Sequence, residues 1–242
     1  MKESYPYAMM TQRQRELLDT PRWAWLRDYL NLWYADPLTA SDASTVEQVT
    51  EAEQKVGPLP ATLREWFELV GARLRESQDI PAKPPKLRAI DGRLAIWTEN
   101  QCVWQILACP RPDGQWDDDP PCVATEGFDF AQPLSATLQA MTLSDTLAGI
   151  MAVLDARRPE GSLGYLAPRV RGGLLEDATD WHIFRQLPEH PVSCNPFYNP
   201  GQMRGDQTTV LRDDSSLIMW MTATDEAFES LAARFTLAAR FG

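Results

Sequence analysis

An α+β fold is what the sequence predicts, and three observations carry the prediction. Apolar residues recur at three- and four-residue steps through the chain up to Val70, as on one face of a helix. The stretch Leu94 to Val123, LAIWTENQCVWQILACPRPDGQWDDDPPCV, is aromatic and β-branched, and turn residues break it. A second helical run, Ser135 to Arg157, follows before further strand candidates appear. Helices and strands thus come in separate runs, not in strict alternation.

From Thr11 to Ala35 the pattern is helical, and Leu26, Tyr29, Leu30 and Trp33 share one face. Pro21 is predicted to start a fresh helix there, capped by Asp19 or Thr20. Asp36 to Ser44 reads as a linker. Ser44 and Glu47 fit a capping box, in which hydroxyl and carboxylate each satisfy an orphan backbone donor. The helix that follows runs through Val56, and Gly57 can stop it in a left-handed conformation. Pro58-Leu59-Pro60 makes a rigid elbow. A helix from Ala61 to Val70 then buries Leu63, Trp66, Phe67 and Val70, and Gly71 ends it.

Glu76 to Pro85 reads as a Pro-rich crossing loop. Lys86 to Ile90 reads as a strand, and Asp91-Gly92 as a two-residue hairpin turn into Leu94. Two strands are expected in the central stretch, bent at Glu99-Asn100-Gln101. Pro110 to Gly114 is a strong turn signal, and Asp117 to Pro121 stiffens the entry to Cys122-Val123. Glu126 to Pro133 is a loop. The helix Ser135 to Arg157 is predicted to break near Thr142, which would cap its second segment. Residues 159 to 222 read as β-rich, with strand candidates at Tyr165-Leu166, Leu174-Leu175, Trp181 to Phe184, Val210-Leu211 and Leu217 to Trp220. Asp213 to Ser216 resembles a hairpin turn. Thr224 caps a C-terminal helix whose first turn holds Asp225 and Glu226.

The 242 residues are 44% hydrophobic and include nine tryptophans, which predicts a packed globular protein. The N-terminus lacks the apolar core of an export signal, and no stretch approaches 18 consecutive apolar residues. The four cysteines, at 102, 109, 122 and 194, form no CxxC pair and read as reduced thiols. Cys102 and Cys109 sit in apolar runs and read as buried. A cytoplasmic protein with no membrane association is the expectation. The formal charge of −11, from 23 basic and 34 acidic residues, disfavours nucleic-acid binding by phosphate neutralisation. It suits a basic partner, because complementary fields speed encounter and select partners.

Two stretches carry a family resemblance. In the central one, an apolar strand leads to Glu99-Asn100-Gln101. Trp104 follows, then a strand, an acidic loop, Asp119-Pro120-Pro121 and Val123. In the second, Glu53, Gly57, Leu59, Pro60, Trp66 and Gly71 punctuate a pair of helices. Both resemble the SUKH superfamily, which includes yeast cell-wall assembly regulators of the Smi/Knr type and many bacterial proteins that neutralise toxins. The resemblance implies a mixed, mainly antiparallel sheet with helices packed around it. It also implies one domain over 1–242: N-terminal helices at 11–35, a best-matching core at 44–157, and C-terminal strands and helix at 159–242. The function it implies is non-enzymatic: a cytoplasmic immunity protein that neutralises a cognate toxin domain, such as a nuclease, by direct binding. The alternative within the resemblance is a regulatory scaffold of the cell-wall assembly type.

Candidate sites are few. His182, His190 and Cys194 match no zinc spacing, and no phosphate-binding glycine loop or GxSxG elbow occurs, so no metal or cofactor is expected. A carboxylate-dependent enzyme would need Glu99 beside one of Asp117 to Asp119, with the loop folded back over the bend. The loop makes a better interaction surface. Trp116 between Gly114 and three aspartates offers an aromatic anchor with an acidic rim, the composition of a binding hot spot. The predicted partner-binding set is Glu99, Asn100, Gln101, Trp116, Asp117, Asp118 and Asp119.

Overall fold

A computed structural model describes residues 7–36, 38–73, 79–99, 103–125, 131–154, 167, 170–175, 178–189, 203–214 and 217–235. It is an α+β protein, with seven α-helices and two antiparallel sheets among the described residues. The sequence predicts one domain. The chain's contacts divide into two compact units, Met1–Arg27 with Pro37–Asp145, and Asp28–Asp36 with Thr146–Gly242. Each unit has its own sheet.

In the first unit, α1 (Gln12–Leu18) starts in a capping box between Thr11 and Gln14. Gln14 is fully buried, and its amide is used at both ends. Its nitrogen donates to the Thr39 and Leu69 carbonyls at 2.9 Å each, and its oxygen accepts from the Thr11 N–H. A buried amide so satisfied ties three segments together without a desolvation penalty. Asp19 ends α1 and does not cap a new helix. The Trp23 and Ala24 N–H groups both turn back to the Thr20 carbonyl, so α2 (Ala24–Trp33) starts three residues beyond Pro21. That turn buries Trp23 against Trp66, ring centroids 5.7 Å apart, with its indole N–H on Glu65.

The box at the head of α3 (Val46–Val56) is Thr45 with Gln48, one residue beyond the predicted pair. Ser44 is instead buried, its N–H on the Phe67 carbonyl at 2.8 Å. Gly57 stops α3 at φ +89°. Glu53 then holds the elbow, accepting from the Leu59 N–H and the Arg64 guanidinium. The next helix, α4 (Ala61–Val70), has the predicted bounds and buries the predicted residues. Gly71 has an ordinary φ of −58°, so its need for glycine is spatial. A Cβ there would run into the Ser44 hydroxyl and come within 2.9 Å of the Phe67 Cα.

The first sheet holds β1 (Asp79–Pro81), β2 (Ala89–Ile90), β3 (Arg93–Glu99), β4 (Gln105–Ala108), β5 (Pro121–Ala124) and β6 (Ala131–Pro133), in the order β1-β3-β4-β5-β6 with β2 also on β3. β1 lies where a loop is predicted, and it pairs Asp79 with Glu99. β2 is shorter than the predicted strand, because Pro84–Lys86 forms a 3-10 turn. Asp91 and Gly92 have φ of 49° and 76°, the two positive values of a type I′ hairpin turn. β3 is buried from Leu94 through Thr98, so both of its faces are covered. Trp97 and Trp104 meet edge to face across the β3–β4 hairpin at 5.6 Å.

Helix α5 (Leu134–Leu154) is continuous through Thr142. The Thr142 hydroxyl donates to the Leu138 carbonyl at 2.9 Å. At a buried position that back-bond satisfies the hydroxyl inside the helix, so it caps nothing.

The second unit holds β7 (Arg171–Leu175), α6 (Ala178–Gln186), β8 (Met203–Gly205), β9 (Thr209–Asp214), β10 (Leu217–Thr222) and α7 (Asp225–Ala232), with sheet order β7-β10-β9-β8. Trp181 to Phe184, predicted as a strand, is part of α6. Trp181 and Phe184 stand three residues apart with rings 6.2 Å from each other, and Leu187 continues the buried row. That core joins Leu175, Leu211, Ile218, Trp220, Leu231 and Phe235. Thr224 caps α7 as predicted, accepting from the Ala227 N–H at 3.1 Å. The predicted strand Tyr165-Leu166 and turn residues Ser215 and Ser216 lie outside the described residues, as do His190, Cys102 and Cys194.

Candidate interaction surface at one end of the first sheet

The strand registers sort the predicted site residues. Leu94 faces Ala108 and Ala108 faces Cys122, so the start of β3, the end of β4 and the start of β5 lie at one end of the sheet. The β4–β5 loop, with Trp116 and Asp117 to Asp119, is at that end. Glu99 closes β3 at the opposite end, where its N–H donates to the Trp104 carbonyl and its carboxylate accepts from the Val103 N–H at 3.2 Å. The length of β4 and its flanks, roughly 15 Å at 3.3 Å per residue, separates the two groups. No carboxylate pair of the kind an acid–base reaction needs forms between Glu99 and the loop. Asn100 and Gln101 lie outside the described residues.

The loop is built by its own residues. Arg111 and Gly114 make a turn, with the Gly114 N–H on the Arg111 carbonyl at 2.9 Å and Gly114 at φ +80°. The Gln115 N–H binds the Asp113 carboxylate at 3.0 Å, and the Arg111 N–H binds the Gln115 carbonyl at 2.8 Å. The Arg111 guanidinium reaches Asp113 at 3.3 Å and Asp117 at 3.8 Å. These exposed pairs are worth little individually. Together with the backbone bonds they define a conformation.

The loop is then fixed to two helices. The Asp118 carbonyl accepts from the Thr62 N–H in the first turn of α4, at 3.0 Å. The Asp119 carboxylate accepts from the Ser135 N–H at 2.8 Å and from its hydroxyl at 2.6 Å, in the first turn of α5. The Leu134 N–H adds a bond to the Pro120 carbonyl. The three backbone contacts satisfy N–H donors that helix N-termini leave open, and the Asp119 carboxylate also puts negative charge at the positive end of α5. The aspartate run therefore divides by role. Asp119 is half-buried and acts as a cap. The side chains of Asp117 and Asp118 are exposed, and Trp116, predicted to stand out, is half-buried.

Beneath the loop lie two thiols. Burial pushes the Cys122 thiol up to about 12, against a bond to Thr137 that works the other way. Burial also raises the half-exposed Cys109 thiol, which the nearby Arg93 guanidinium partly offsets. Both are free, and a raised pKa leaves each a weak nucleophile. Among the described residues no cluster of three or more His, Cys, Asp or Glu side chains could hold a metal ion, and no helix is long and apolar enough to cross a membrane.

Negative charge is not confined to this end. The first unit carries 14 basic and 20 acidic residues, the second 9 and 14. What sets the loop apart is its anchoring and its aromatic residue, not the density of charge alone. Compared with protein families, curated proteins and solved structures, the chain matches none.

Proposed function

We propose that this chain is a cytoplasmic binding protein whose β4–β5 loop docks a basic protein surface, and that the partner is a toxin domain it neutralises. The observation that carries the docking half is the anchored loop. Asp118 and Asp119 tie it to α4 and α5, while the Asp117 and Asp118 carboxylates point to solvent beside half-buried Trp116. A loop already ordered before binding loses less conformational freedom in the complex. The toxin half rests on the SUKH resemblance and on the charge of −11, which would mimic a nucleic-acid substrate in a nuclease's basic cleft.

The test is capture from the source cell's lysate and secretome at low and at high salt. The bait is the wild-type protein beside a variant carrying Trp116→Ala, Asp117→Asn and Asp118→Asn. Asp119 is left intact, because its loss would disturb α5. One stoichiometric basic partner that salt releases, that the variant fails to hold, and whose toxicity co-expression suppresses, is the expected result. A partner held equally by the variant would move the docking surface elsewhere. A partner with no toxicity would favour the regulatory scaffold.

A further inference from the structure

The chain contains two Asp-Gly pairs, Asp91-Gly92 and Asp113-Gly114, and no Asn-Gly pair. Aspartate before glycine can rearrange, because glycine has no Cβ to keep its amide nitrogen from approaching the aspartate Cγ. All four residues are exposed, but the structure treats the pairs differently. At Asp113 both reacting groups are held. The Gly114 N–H donates to the Arg111 carbonyl at 2.9 Å. One Asp113 oxygen accepts from the Gln115 N–H at 3.0 Å, and the other faces the Arg111 guanidinium at 3.3 Å. At Asp91 neither group is held. Among the described residues no hydrogen bond or ion pair engages the Asp91 carboxylate or the Gly92 N–H. Asp91 also sits at φ 49°, a left-handed conformation in which Cβ crowds the following carbonyl. In the other turn Gly114 supplies the positive φ, so Asp113 carries no such strain.

We propose that Asp91 is a site of spontaneous isomerisation to isoaspartate, and that Asp113 is protected from the same reaction by its own loop. The Gly92 nitrogen attacks the Asp91 Cγ. An N–Cγ bond forms, the amide proton and the carboxyl hydroxyl leave as water, and a succinimide ring closes. Water then opens the ring. Cleavage at Cγ restores aspartate. Cleavage between the nitrogen and the Asp91 main-chain carbonyl carbon leaves the chain running through Cβ and Cγ, with the former main-chain carbonyl as a free carboxylate. No reagent besides water takes part. An N–H held in a hydrogen bond, as at Gly114, is harder to deprotonate, and its peptide plane is harder to turn toward Cγ. The product keeps its charge, but its backbone gains a methylene and escapes the φ, ψ limits that strain Asp91. A type I′ turn matches the twist of its strands through two residues of ordinary length. The longer link therefore loosens β2, which holds β3 through the pairs Ala89 with Leu94 and Ile90 with Arg93. β3 stays paired to β1 and β4. This site is separate from the docking loop and does not rest on the docking reading.

The experiment is prolonged incubation of the folded full chain at neutral pH, with peptide mapping at intervals. Trypsin releases Ala89–Arg93, in which Asp91 is the one aspartate, and a second protease releases a peptide spanning Asp113. The isoaspartyl form has the same mass, separates by chromatography and resists a protease that cuts before aspartate. Folded protein converts Asp91 several-fold faster than Asp113. In denaturant, where neither turn exists, the two rates converge. Arg111→Gln removes one hold on the Asp113 carboxylate, so it raises the rate at Asp113 and leaves that at Asp91 unchanged. Hydrogen exchange reads the consequence: the Ala95 N–H, bonded to the Arg88 carbonyl at 3.0 Å beside β2, loses protection in aged wild type and keeps it in aged Asp91→Ser. Asp113 converting as fast as Asp91 in the folded chain overturns the inference, as does an Asp91 that stays unaltered while the unfolded chain converts. An Arg111→Gln chain with Asp113 as slow as before overturns the protection by the loop, and unchanged Ala95 exchange in the isomerised protein overturns the loosening of β2.

Discussion

The two ends of the first sheet look alike in sequence and differ in construction. Both are polar breaks in an apolar run, Glu99-Asn100-Gln101 at one and Asp117-Asp118-Asp119 at the other. At the Glu99 end the hairpin is held from within the sheet, by the Trp97–Trp104 edge contact and the backbone bond from Glu99 to Trp104. At the loop end the hold comes from outside the sheet, through the first turns of α4 and α5. A carboxylate at the first end decorates a turn. At the second, one carboxylate caps a helix, and its neighbours are left on a surface that the cap keeps rigid. Acidic residues in one short run thus take structural and surface roles by which helix end lies within reach.

Removing the internal hold should have the largest effect. Trp104→Ala deletes a buried aromatic and its partner's edge contact, and should lower stability by about 3–5 kcal/mol. Chemical denaturation measures it, and loss of less than about 1 kcal/mol would mean the Glu99 end does not depend on the tryptophan pair. The external hold is weaker per group. Asp119→Ala removes two bonds at the start of α5 and should cost about 0.5–2 kcal/mol, the range for lost capping side chains. Partner capture should fall with it at temperatures where the fold persists, because the loop loses its tie. A destabilised variant that captures partner as well as wild type would break the link between cap and surface.

How much of this was legible in the sequence depends on range. Signals complete within a few residues were readable: Asp91-Gly92 as a turn, Gly57 as a stop, Thr224 as a cap and α4 from its row of apolar residues. Where two local signals compete, a distant contact decides. Ser44 and Thr45 are equally good caps by chemistry, and Ser44 is withdrawn because its N–H goes to Phe67 and its side chain packs where Gly71 leaves room. Trp181 to Phe184 is too short an apolar run to show its period, and only with Leu187 does the three-residue step of α6 stand out. β1 spans three residues, one of them proline, and exists because β3 has an open edge. The loop was readable as a surface, but the fate of each aspartate was not. Asp119 meets Ser135 across sixteen positions, and Asp118 meets Thr62 across more.

Thiol chemistry probes the floor of the loop end. Cys122 is closed off, so alkylation at mildly alkaline pH should modify it only after unfolding, with Cys109 slower than a free thiol. The sign of the pH dependence follows. The folded thiol's pKa of about 12 lies above the ordinary value of 9.0, so in between the native state holds a proton that the unfolded chain releases. This contribution to stability is complete below pH 9.0 and falls as pH rises toward about 12. Cys122→Ser should flatten that decline relative to wild type. An unchanged alkaline slope, or rapid labelling of native Cys122, would mean that the strand beneath the loop opens readily.

The smallest expected effect makes the finest cut. Asp118 contributes its carbonyl to α4, and a carbonyl survives any side-chain substitution. Asp118→Asn should therefore leave stability within about 0.5 kcal/mol of wild type, as for an exposed side chain without a structural bond. Asp119→Asn, one residue on, keeps a capping oxygen but loses the charge at the α5 N-terminus and one of two acceptors, and should fall between wild type and Asp119→Ala. Parallel melts of the three variants rank the two aspartates. If Asp118→Asn destabilised as much as Asp119→Asn, the Asp118 carboxylate would be holding the fold, and it could not then be counted as surface offered to a partner. If Asp118→Asn is silent in the melt but weakens capture, the same residue is separable into a backbone that builds the loop and a side chain that uses it.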